Sequence, residues 1–394
     1  MKKIITLFSI SLITSYCFSQ GVWSQMTTCP GSARYRAMSF EVNGKCYMGT
    51  GSTGGGISQN LKDLWEYDVA LNVWTQMADL TGRPRTNATA ATVGNFGYVG
   101  LGSDNNSLLT DWWQYDPALN VWTAMANFPG RARFGAAAIT LQNRIFTGGG
   151  LDSTQTSSLS DFFAYDPVGN VWATKASMPI GVSSPATFTI GTKGYFVGGA
   201  TNGSVSATTQ NAEYDPANNT WTTKAPYAAG NTFSAIGFSL YGYGYMGTGF
   251  TGSLTDVMYR YNPVANNWTQ ETNWPTGIRQ WAVCCVSGNR AFVGTGNSTG
   301  GLLFSDWWEF IPAVTTSTNQ LEEQVNGSVR YDENTKEIIF ENKSNNVALN
   351  IYSVDGKLVF SKTLIELNEH ISWNHQGIYL IALNNNSTTK IYCR

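Results

Sequence analysis

The feature of this 394-residue sequence that most restricts its fold is an internal repeat with a period of about 50 residues. Each unit carries a glycine pair, then an aromatic segment that ends in a turn sequence, then a tryptophan. The three markers keep the same order and nearly the same spacing through six units. The tryptophans are Trp23, Trp74, Trp122, Trp172, Trp221 and Trp268.

The other two markers predict the strands of each unit. A glycine pair suits the end of a strand where the backbones of neighbouring units come close. An aromatic segment ending in Asp-Pro marks a strand followed by a turn. With an apolar strand before the glycines and the tryptophan strand after the turn, each unit is predicted to form four short strands. The glycine pairs are Gly49/Gly51, Gly100/Gly102, Gly148/Gly149, Gly198/Gly199, Gly247/Gly249 and Gly294/Gly296. The aromatic segments are residues 64–68, 112–117, 162–167, 212–216, 258–263 and 307–312.

The two ends of the repeat predict how the units join. The last unit has no tryptophan strand after residues 307–312, whereas Trp23 precedes the first complete unit. Joining them completes a sixth unit and removes exposed strand edges. The double glycine, the Tyr-Asp turn and the later tryptophan resemble the kelch family over residues 22–312. This resemblance implies an all-β fold, a six-bladed kelch-type β-propeller with aromatic side chains between its blades.

The N-terminal residues 1–19 have the pattern of a signal peptide. Lys2 and Lys3 precede an apolar stretch that is too short to span a bilayer, and Ser19 is a small residue at the expected cleavage point. We therefore expect an exported protein without a membrane span, whose propeller occupies residues 20–312.

Cysteine usage leaves the redox state of the propeller open. Five cysteines remain after the predicted cleavage, an odd number without a CxxC pair that would indicate zinc. Cys284 and Cys285 lie in an apolar strand and are expected to be small buried hydrophobic residues. A bridge that involves Cys29 or Cys46 is the alternative in an oxidising compartment.

The C-terminal region differs from the repeat. Residues 313–322 form a Ser/Thr-rich linker, and residues 323–394 alternate as strands, which predicts a small antiparallel β-sandwich. The hairpin sequence of residues 350–359, the strand of residues 377–383 and the terminal strand with Lys390 resemble the type A sorting domain of type IX secretion, the export route of Bacteroidetes. The resemblance implies a secreted or outer-membrane cell-surface protein that meets the type IX machinery through residues 323–394. A generic binding sandwich is the alternative.

Composition excludes several functions. The net charge is −2, so there is no electrostatic footprint for nucleic acid. The two histidines, His370 and His375, both lie outside the propeller, which argues against histidine-based catalysis and copper or zinc redox sites. No catalytic residue, metal site or cofactor is predicted.

One asymmetry in the repeat predicts a binding face. The residue fifteen positions before the first glycine of each pair is arginine in four consecutive blades and a small hydroxyl residue in the other two. At the mouth of the central channel, a semicircle of guanidinium groups would suit a carboxylate or sulfate; Arg36, Arg83 and Arg131 add charge nearby. The six predicted ligand-binding residues are Arg34, Arg85, Arg133, Ser183, Thr232 and Arg279.

Structural roles are the alternative for these residues. The arginines could pair with carboxylates of a neighbouring blade, and the aspartates before the third strands could cap turns. The doublets Trp112-Trp113 and Trp307-Trp308 could offer a sugar-stacking platform, but core packing is the favoured interpretation. The candidate carboxylates for pairing are Asp63, Asp111, Asp161, Asp256 and Asp306.

The sequence thus predicts a secreted or cell-surface propeller that acts as a binding scaffold for a protein or an acidic glycan. The alternative is a surface carbohydrate-active enzyme, an epimerase or lyase that uses carboxylates at the channel mouth. Asp104, Asp152 and Glu213 are candidate acids for that alternative, but their spacing pairs none of them.

Overall fold

A computed structural model describes residues 21–54, 59–203 and 206–312, followed by the segments 327–332, 335–342, 347–353, 358–364, 368–373, 377–383 and 387–393. The chain divides into two compact units, Met1–Ala313 and Val314–Arg394. The predicted signal peptide and most of the predicted linker lie outside the described residues.

The first unit is a β-propeller of six four-stranded antiparallel blades, which confirms the predicted fold. Strand β1 (Val22–Gln25) comes first in the chain. Blade 1 contains β2 (Met38–Val42), β3 (Lys45–Gly49), β4 (Leu64–Asp68) and β5 (Val73–Met77). Blade 2 contains β6 (Thr89–Val93), β7 (Phe96–Gly100), β8 (Trp112–Asp116) and β9 (Val121–Met125). Blade 3 contains β10 (Ala137–Leu141), β11 (Arg144–Gly148), β12 (Phe162–Asp166) and β13 (Val171–Lys175).

Blade 4 includes an extra two-stranded ribbon, and a single turn of 3-10 helix (Thr299–Gly301) precedes the last strand of blade 6. Blade 4 contains β14 (Ala186–Ile190), β15 (Lys193–Val197), the ribbon β16 (Ala200–Thr201) and β17 (Ser206–Ala207), β18 (Asn211–Asp215) and β19 (Thr220–Thr223). Blade 5 contains β20 (Ile236–Leu240), β21 (Tyr243–Gly247), β22 (Met258–Asn262) and β23 (Asn267–Glu271). Blade 6 contains β24 (Val283–Ser287), β25 (Arg290–Gly294) and β26 (Trp307–Ile311).

The ring closes as predicted. Strand β1 pairs with β26 as the outermost strand of blade 6, with Val22 opposite Ile311 and Gln25 opposite Trp308. The first strand of every blade contacts the first strands of both neighbouring blades, which places these six strands around the central axis. The N-terminal and C-terminal ends of the propeller therefore hold each other in one sheet.

Aromatic side chains fill the wedges between blades. In blade 1 the hydroxyl of Tyr67 donates to Asn72 Oδ1 over 2.9 Å, and the same oxygen accepts the backbone N–H of Thr27, which follows the outer strand of blade 6. The indole N–H of Trp74 donates to the carbonyl of Thr27 over 2.8 Å. Since the Tyr, Asn and Trp recur at this spacing in blades 1 to 5, the sequence marker encodes a clamp onto the preceding blade. This confirms the predicted role of the repeated Tyr and Trp residues.

The glycine markers lie where the backbone turns sharply. Gly51 has φ +86°, and a Cβ there would lie 2.8 Å from the carbonyl oxygen of Tyr35. Its N–H donates to the carbonyl of Arg85 in the next blade over 2.8 Å. Because this position needs both positive φ and close backbone approach, glycine is favoured there.

A disulfide joins the two blades that meet at the ring closure. Cys46 on β3 is bonded to Cys285 on β24, and 239 positions separate them in the sequence. The alternative of a bridge at Cys46 is therefore what the structure has, and the expectation of an unbonded Cys285 was wrong. Cys29 and Cys284 are unbonded, and burial raises the pKa of each thiol to about 11.

The second unit contains two antiparallel sheets. The packing of these sheets as a sandwich stays a prediction, and the predicted turn at residues 355–356 lies outside the described residues. The first sheet orders β27 (Gly327–Asp332), β28 (Glu337–Asn342) and β31 (Asn368–Ser372). The second orders β30 (Leu358–Leu364), β29 (Val347–Ser353), β32 (Gly377–Leu383) and β33 (Ser387–Cys393).

Candidate functional site

The four predicted arginines lie just before the innermost strands of their blades, and their side chains are fully buried. Each guanidinium forms a two-pronged ion pair with the aspartate that precedes the third strand of its own blade. Arg85, for example, donates to both oxygens of Asp111 over 2.7 and 2.6 Å and to the carbonyl of Leu101 over 3.2 Å. The pairs are Arg34–Asp63, Arg85–Asp111, Arg133–Asp161 and Arg279–Asp306.

These pairs agree with the alternative prediction that the arginines have a structural role in ion pairs, with one correction. The carboxylates belong to the same blade as the arginine and not to a neighbouring blade, because the first and third strands of a blade start close together. In three blades the aspartate also accepts an indole N–H, as from Trp113 to Asp111 over 2.6 Å. Both terminal nitrogens of each of these arginines bind the aspartate and all four side chains are fully buried, so a ligand-binding role for them stays a prediction without geometric support.

One of the two hydroxyl positions also needs a correction. In blade 4 the residue equivalent to the arginines is Val182, whose carbonyl accepts the N–H of Gly150, and Ser183 lies one position later. The prediction was one residue off because the glycine pair of blade 4 starts one residue late. Val197 lies opposite Ala186 in this blade, at the position where the other blades have glycine. Thr232 holds the equivalent position in blade 5 and is fully buried. Its hydroxyl donates to the carbonyl of Gly230 over 3.0 Å.

The candidate acids for catalysis are each engaged by a cation. Asp104 pairs with Arg83 and Asp152 with Arg131, both at 2.8 Å. Glu213 pairs with Lys224 at 3.2 Å in another blade.

Of the tryptophan doublets, Trp112 and Trp307 are fully buried in the core, so core packing holds for those two.

The lowered pKa values of two aspartates, Asp152 and Asp104, predict how the stability of the protein depends on pH. Hydrogen bonds from Thr154 and Arg131 lower the pKa of Asp152 to about 2. Burial raises the pKa of Asp104, but hydrogen bonds from Arg83 and Ser107 outweigh it and lower that pKa to about 2 as well. A carboxyl whose pKa is depressed by folding stabilises the protein above its unfolded pKa, and this contribution disappears as pH falls towards 2.

We therefore expect the melting temperature to be level above about pH 5 and to fall steeply between about pH 4 and pH 2. Scanning calorimetry across this range is the measurement. Asp152→Asn should flatten part of the acid slope, and an unchanged slope in that variant would contradict the assignment.

A ring of six residues surrounds the channel mouth, one just before the innermost strand of each blade. Each donates its backbone N–H to the carbonyl of the ring residue in the preceding blade, with N···O distances of 2.7 to 3.4 Å, and the sixth bond closes the circle. All six have left-handed φ between +51° and +65°. We call them the mouth ring: Arg36, Asn87, Gly135, Ser184, Ser234 and Trp281.

The mouth ring lines a cavity of about 130 Å³. Small residues that follow the ring residues complete its wall: Ala37, Ala88, Ala136, Pro185, Ala235 and Ala282. Because each blade contributes a methyl-sized or proline side chain here, space is left at the axis that larger side chains would fill.

Arg36 is the distinctive charge of this cavity. Its guanidinium lies 4.0 Å from the ring centroid of Trp281 and 5.1 Å from that of Tyr35, a cation–π arrangement. Unlike Arg83 and Arg131, it has no carboxylate partner within the described part of the chain, and its buried Nε has no hydrogen-bond acceptor there. Burial lowers the pKa of Arg36, since the charged form is poorly solvated.

Sequence reasoning grouped Arg36 with Arg83 and Arg131 and did not single it out. A signal was present, because Arg36 follows the buried arginine of its blade by two positions whereas Arg83 and Arg131 precede theirs by two. Trp281 occupies the same register position in blade 6. A comparison of this one position across the six units would have found both residues.

The described residues contain no group of three or more metal-ligating side chains placed to hold an ion. In the same part of the chain, no helix is long and apolar enough to cross a membrane.

Comparison with known proteins agrees with this architecture. A solved structure titled "Structure of YjhT" superposes with a TM-score of 0.63 and 18% sequence identity, over 72% of this chain and 95% of that chain. No curated protein sequence matches the chain significantly. The sequence profile of the Attractin/LZTR1 beta-propeller family matches residues 7–237, which is more than half of the chain. The chain therefore belongs to the Attractin/LZTR1 beta-propeller family.

Proposed function

We propose that this protein is a secreted or cell-surface binding propeller that takes its ligand at the channel mouth. Propellers are commonly protein-binding scaffolds, and an acidic glycan is the other ligand class that a cationic mouth suits. The observation that carries the proposal is Arg36, a partly buried guanidinium that lines the axial cavity without a carboxylate partner in the described residues. A charge in that position gains from an incoming anion, because burial has already removed much of its hydration.

Export by type IX secretion is part of the proposal. The signal-peptide pattern of residues 1–19 and the sorting-domain resemblance of residues 323–394 support it. The Cys46–Cys285 disulfide supports an oxidising compartment independently. Deleting residues 323–394 should leave the propeller inside the outer membrane in a host with this pathway, as measured by cell fractionation; unchanged release would contradict it.

A binding scaffold fits the geometry better than a carboxylate-based enzyme. Asp104 and Asp152 each bind an arginine, and their lowered pKa values keep them ionised near neutral pH. A general acid needs a raised pKa so that it holds its proton there, which neither residue provides.

The test is an array of glycans and acidic peptides probed with the full mature chain and with two variants. Arg36→Gln removes the charge at the mouth and keeps a side chain of similar length. Arg83→Gln is the matched control, because Arg83 is an exposed arginine paired with Asp104 of the same blade. We expect a ligand that binds the wild type and the Arg83 variant but not the Arg36 variant. Equal binding by all three proteins would place the ligand site elsewhere.

A further inference from the structure

We propose that the end of the channel opposite the mouth ring carries a second binding site, in which Tyr241 stacks against the pyranose ring of a neutral sugar. Tyr241 follows the innermost strand of blade 5, β20 (Ile236–Leu240), and Ser234 of the mouth ring precedes that strand. The two sites therefore lie at opposite ends of the innermost strands, and this inference goes beyond the proposed function.

The backbone conformation of Tyr241 is the first argument. The turn between the first and second strands has two residues in every blade, and the first of them has φ between +51° and +58° in all six blades. Glycine and asparagine adopt this conformation at low cost, whereas a bulky tyrosine is strained there. Strained residues of this kind cluster at functional sites. The six residues are Asn43, Gly94, Gln142, Gly191, Tyr241 and Gly288.

The exposure of Tyr241 is the second argument. The residue is 55% exposed to solvent. Among the described residues its hydroxyl has no hydrogen-bond partner, and its ring has no aromatic or cationic neighbour. A side chain with so few contacts does little to offset the strain of its backbone, so the stability of the turn does not account for a tyrosine at this position.

The neighbouring blades leave room on both sides of Tyr241. The innermost strand of blade 5 contacts those of blades 4 and 6, and the turns of these two blades have glycine at the position of the tyrosine. A Cβ at Gly191 or Gly288 would meet no heavy atom within 4 Å apart from its chain neighbours. The next residues, Thr192 and Asn289, are exposed, and their side chains have no hydrogen-bond partner in the described part of the chain. Tyr241 thus offers an open aromatic face between two polar side chains.

Charge and shape select a neutral sugar. The cation that follows each flanking turn, Lys193 in blade 4 and Arg290 in blade 6, pairs with a carboxylate of its own blade, so neither calls for an anion. A pyranose ring has a C–H face that packs on an aromatic ring and hydroxyls at its edge. Each hydroxyl both donates and accepts, as the Thr192 hydroxyl and the Asn289 amide do. A proline-rich segment also packs against aromatic side chains, but it has no hydroxyls for these two residues to bind.

The experiment is isothermal titration calorimetry on the full mature chain. The probes are three neutral hexasaccharides (cellohexaose, maltohexaose and mannohexaose), with hexaproline as the peptide probe. We expect at least one hexasaccharide to bind and hexaproline not to bind. Tyr241→Asn should weaken sugar binding by at least roughly tenfold, and Thr192→Ala or Asn289→Ala by roughly three- to tenfold. Tyr241→Phe keeps the aromatic face and should bind within about threefold of the wild type.

Stability separates a binding role of Tyr241 from a structural one. Because asparagine is favoured at this turn position, Tyr241→Asn should raise the melting temperature by about 2–4 °C while it removes sugar binding. Gln142→Asn is the matched control, since Gln142 holds the same turn position in blade 3. It should raise the melting temperature by a similar amount and leave sugar affinity unchanged.

Three results would overturn the inference: a wild type that binds none of the hexasaccharides, sugar binding that survives Tyr241→Asn, or binding of hexaproline in place of the sugars. A melting temperature that falls in Tyr241→Asn would also overturn it, because the tyrosine would then stabilise the fold. Arg36→Gln should leave sugar affinity unchanged, because Arg36 lies at the other end of the channel; the test is therefore independent of the site at the mouth.

Discussion

Arg85→Ala is expected to lower the free energy of unfolding of the propeller by about 3 kcal/mol. The Arg85 side chain is fully buried, binds both oxygens of Asp111 and donates to the carbonyls of Leu101 and Arg83. Truncation leaves a cavity, two carbonyls with one donor fewer and an unneutralised carboxylate. Because 29% of the Asp111 side chain is exposed, water relieves part of that cost, so we expect the lower end of the range for broken buried pairs.

The matched control is Arg83→Ala, two positions earlier in the same loop. The Arg83 side chain is 65% exposed and its pair with Asp104 lies at the surface, so we expect a loss below about 1 kcal/mol. Chemical denaturation followed by tryptophan fluorescence measures both variants. Equal stability losses would contradict the structural role of the buried pair. If Arg85→Ala also lost ligand binding, the loss would result from the destabilised fold and would not locate the binding site. The proposed site is therefore tested with Arg36, which lines the cavity.

Loss of the Cys46–Cys285 disulfide is expected to cost about 2–5 kcal/mol. The bond links blade 1 to blade 6 across 239 positions of sequence, so it closes a loop that spans most of the propeller. In the unfolded chain such a crosslink removes a large amount of conformational freedom, and the stabilisation grows with loop length. The double variant Cys46→Ala/Cys285→Ala should therefore unfold at a clearly lower denaturant concentration than the wild type.

Cys284→Ala is the control for this prediction. Cys284 neighbours Cys285, is unbonded, and its thiol contacts the carbonyl of Gly237, so its replacement should cost about 1 kcal/mol. Peptide mapping without reduction should recover Cys46 and Cys285 in one linked fragment. Two free thiols at these positions, or stability that is insensitive to the double variant, would contradict the assignment.

The fold was predictable from the sequence because it depends on features that repeat. The Tyr, Asn and Trp of each unit clamp neighbouring blades, so their spacing specifies blade count. The absent tryptophan strand after residues 307–312 specified the closure by residues 22–25. In blade 4 the glycine pair starts one residue later than the strand register requires. Counting back from that glycine therefore predicted Ser183 where the structure has Val182.

The site was harder to predict because it depends on side chains that break the repeat. A periodic arginine is a structural residue in this fold, and its pairing with an aspartate some 26 to 29 positions later follows from strand geometry that the sequence does not display. Arg36 and Trp281 occur once each, in blades that are adjacent only after the ring closes. Cys46 and Cys285 meet for the same reason. The proposed binding site therefore depends on non-repeated residues at one register position.

The most direct test of a binding site at the channel mouth is a structure of the full mature chain with an array-selected ligand. We predict an anionic group of the ligand in the cavity within the mouth ring, hydrogen-bonded to the Arg36 guanidinium. A ligand bound on the outer strands or on the second unit, with the axial cavity empty, would contradict the account.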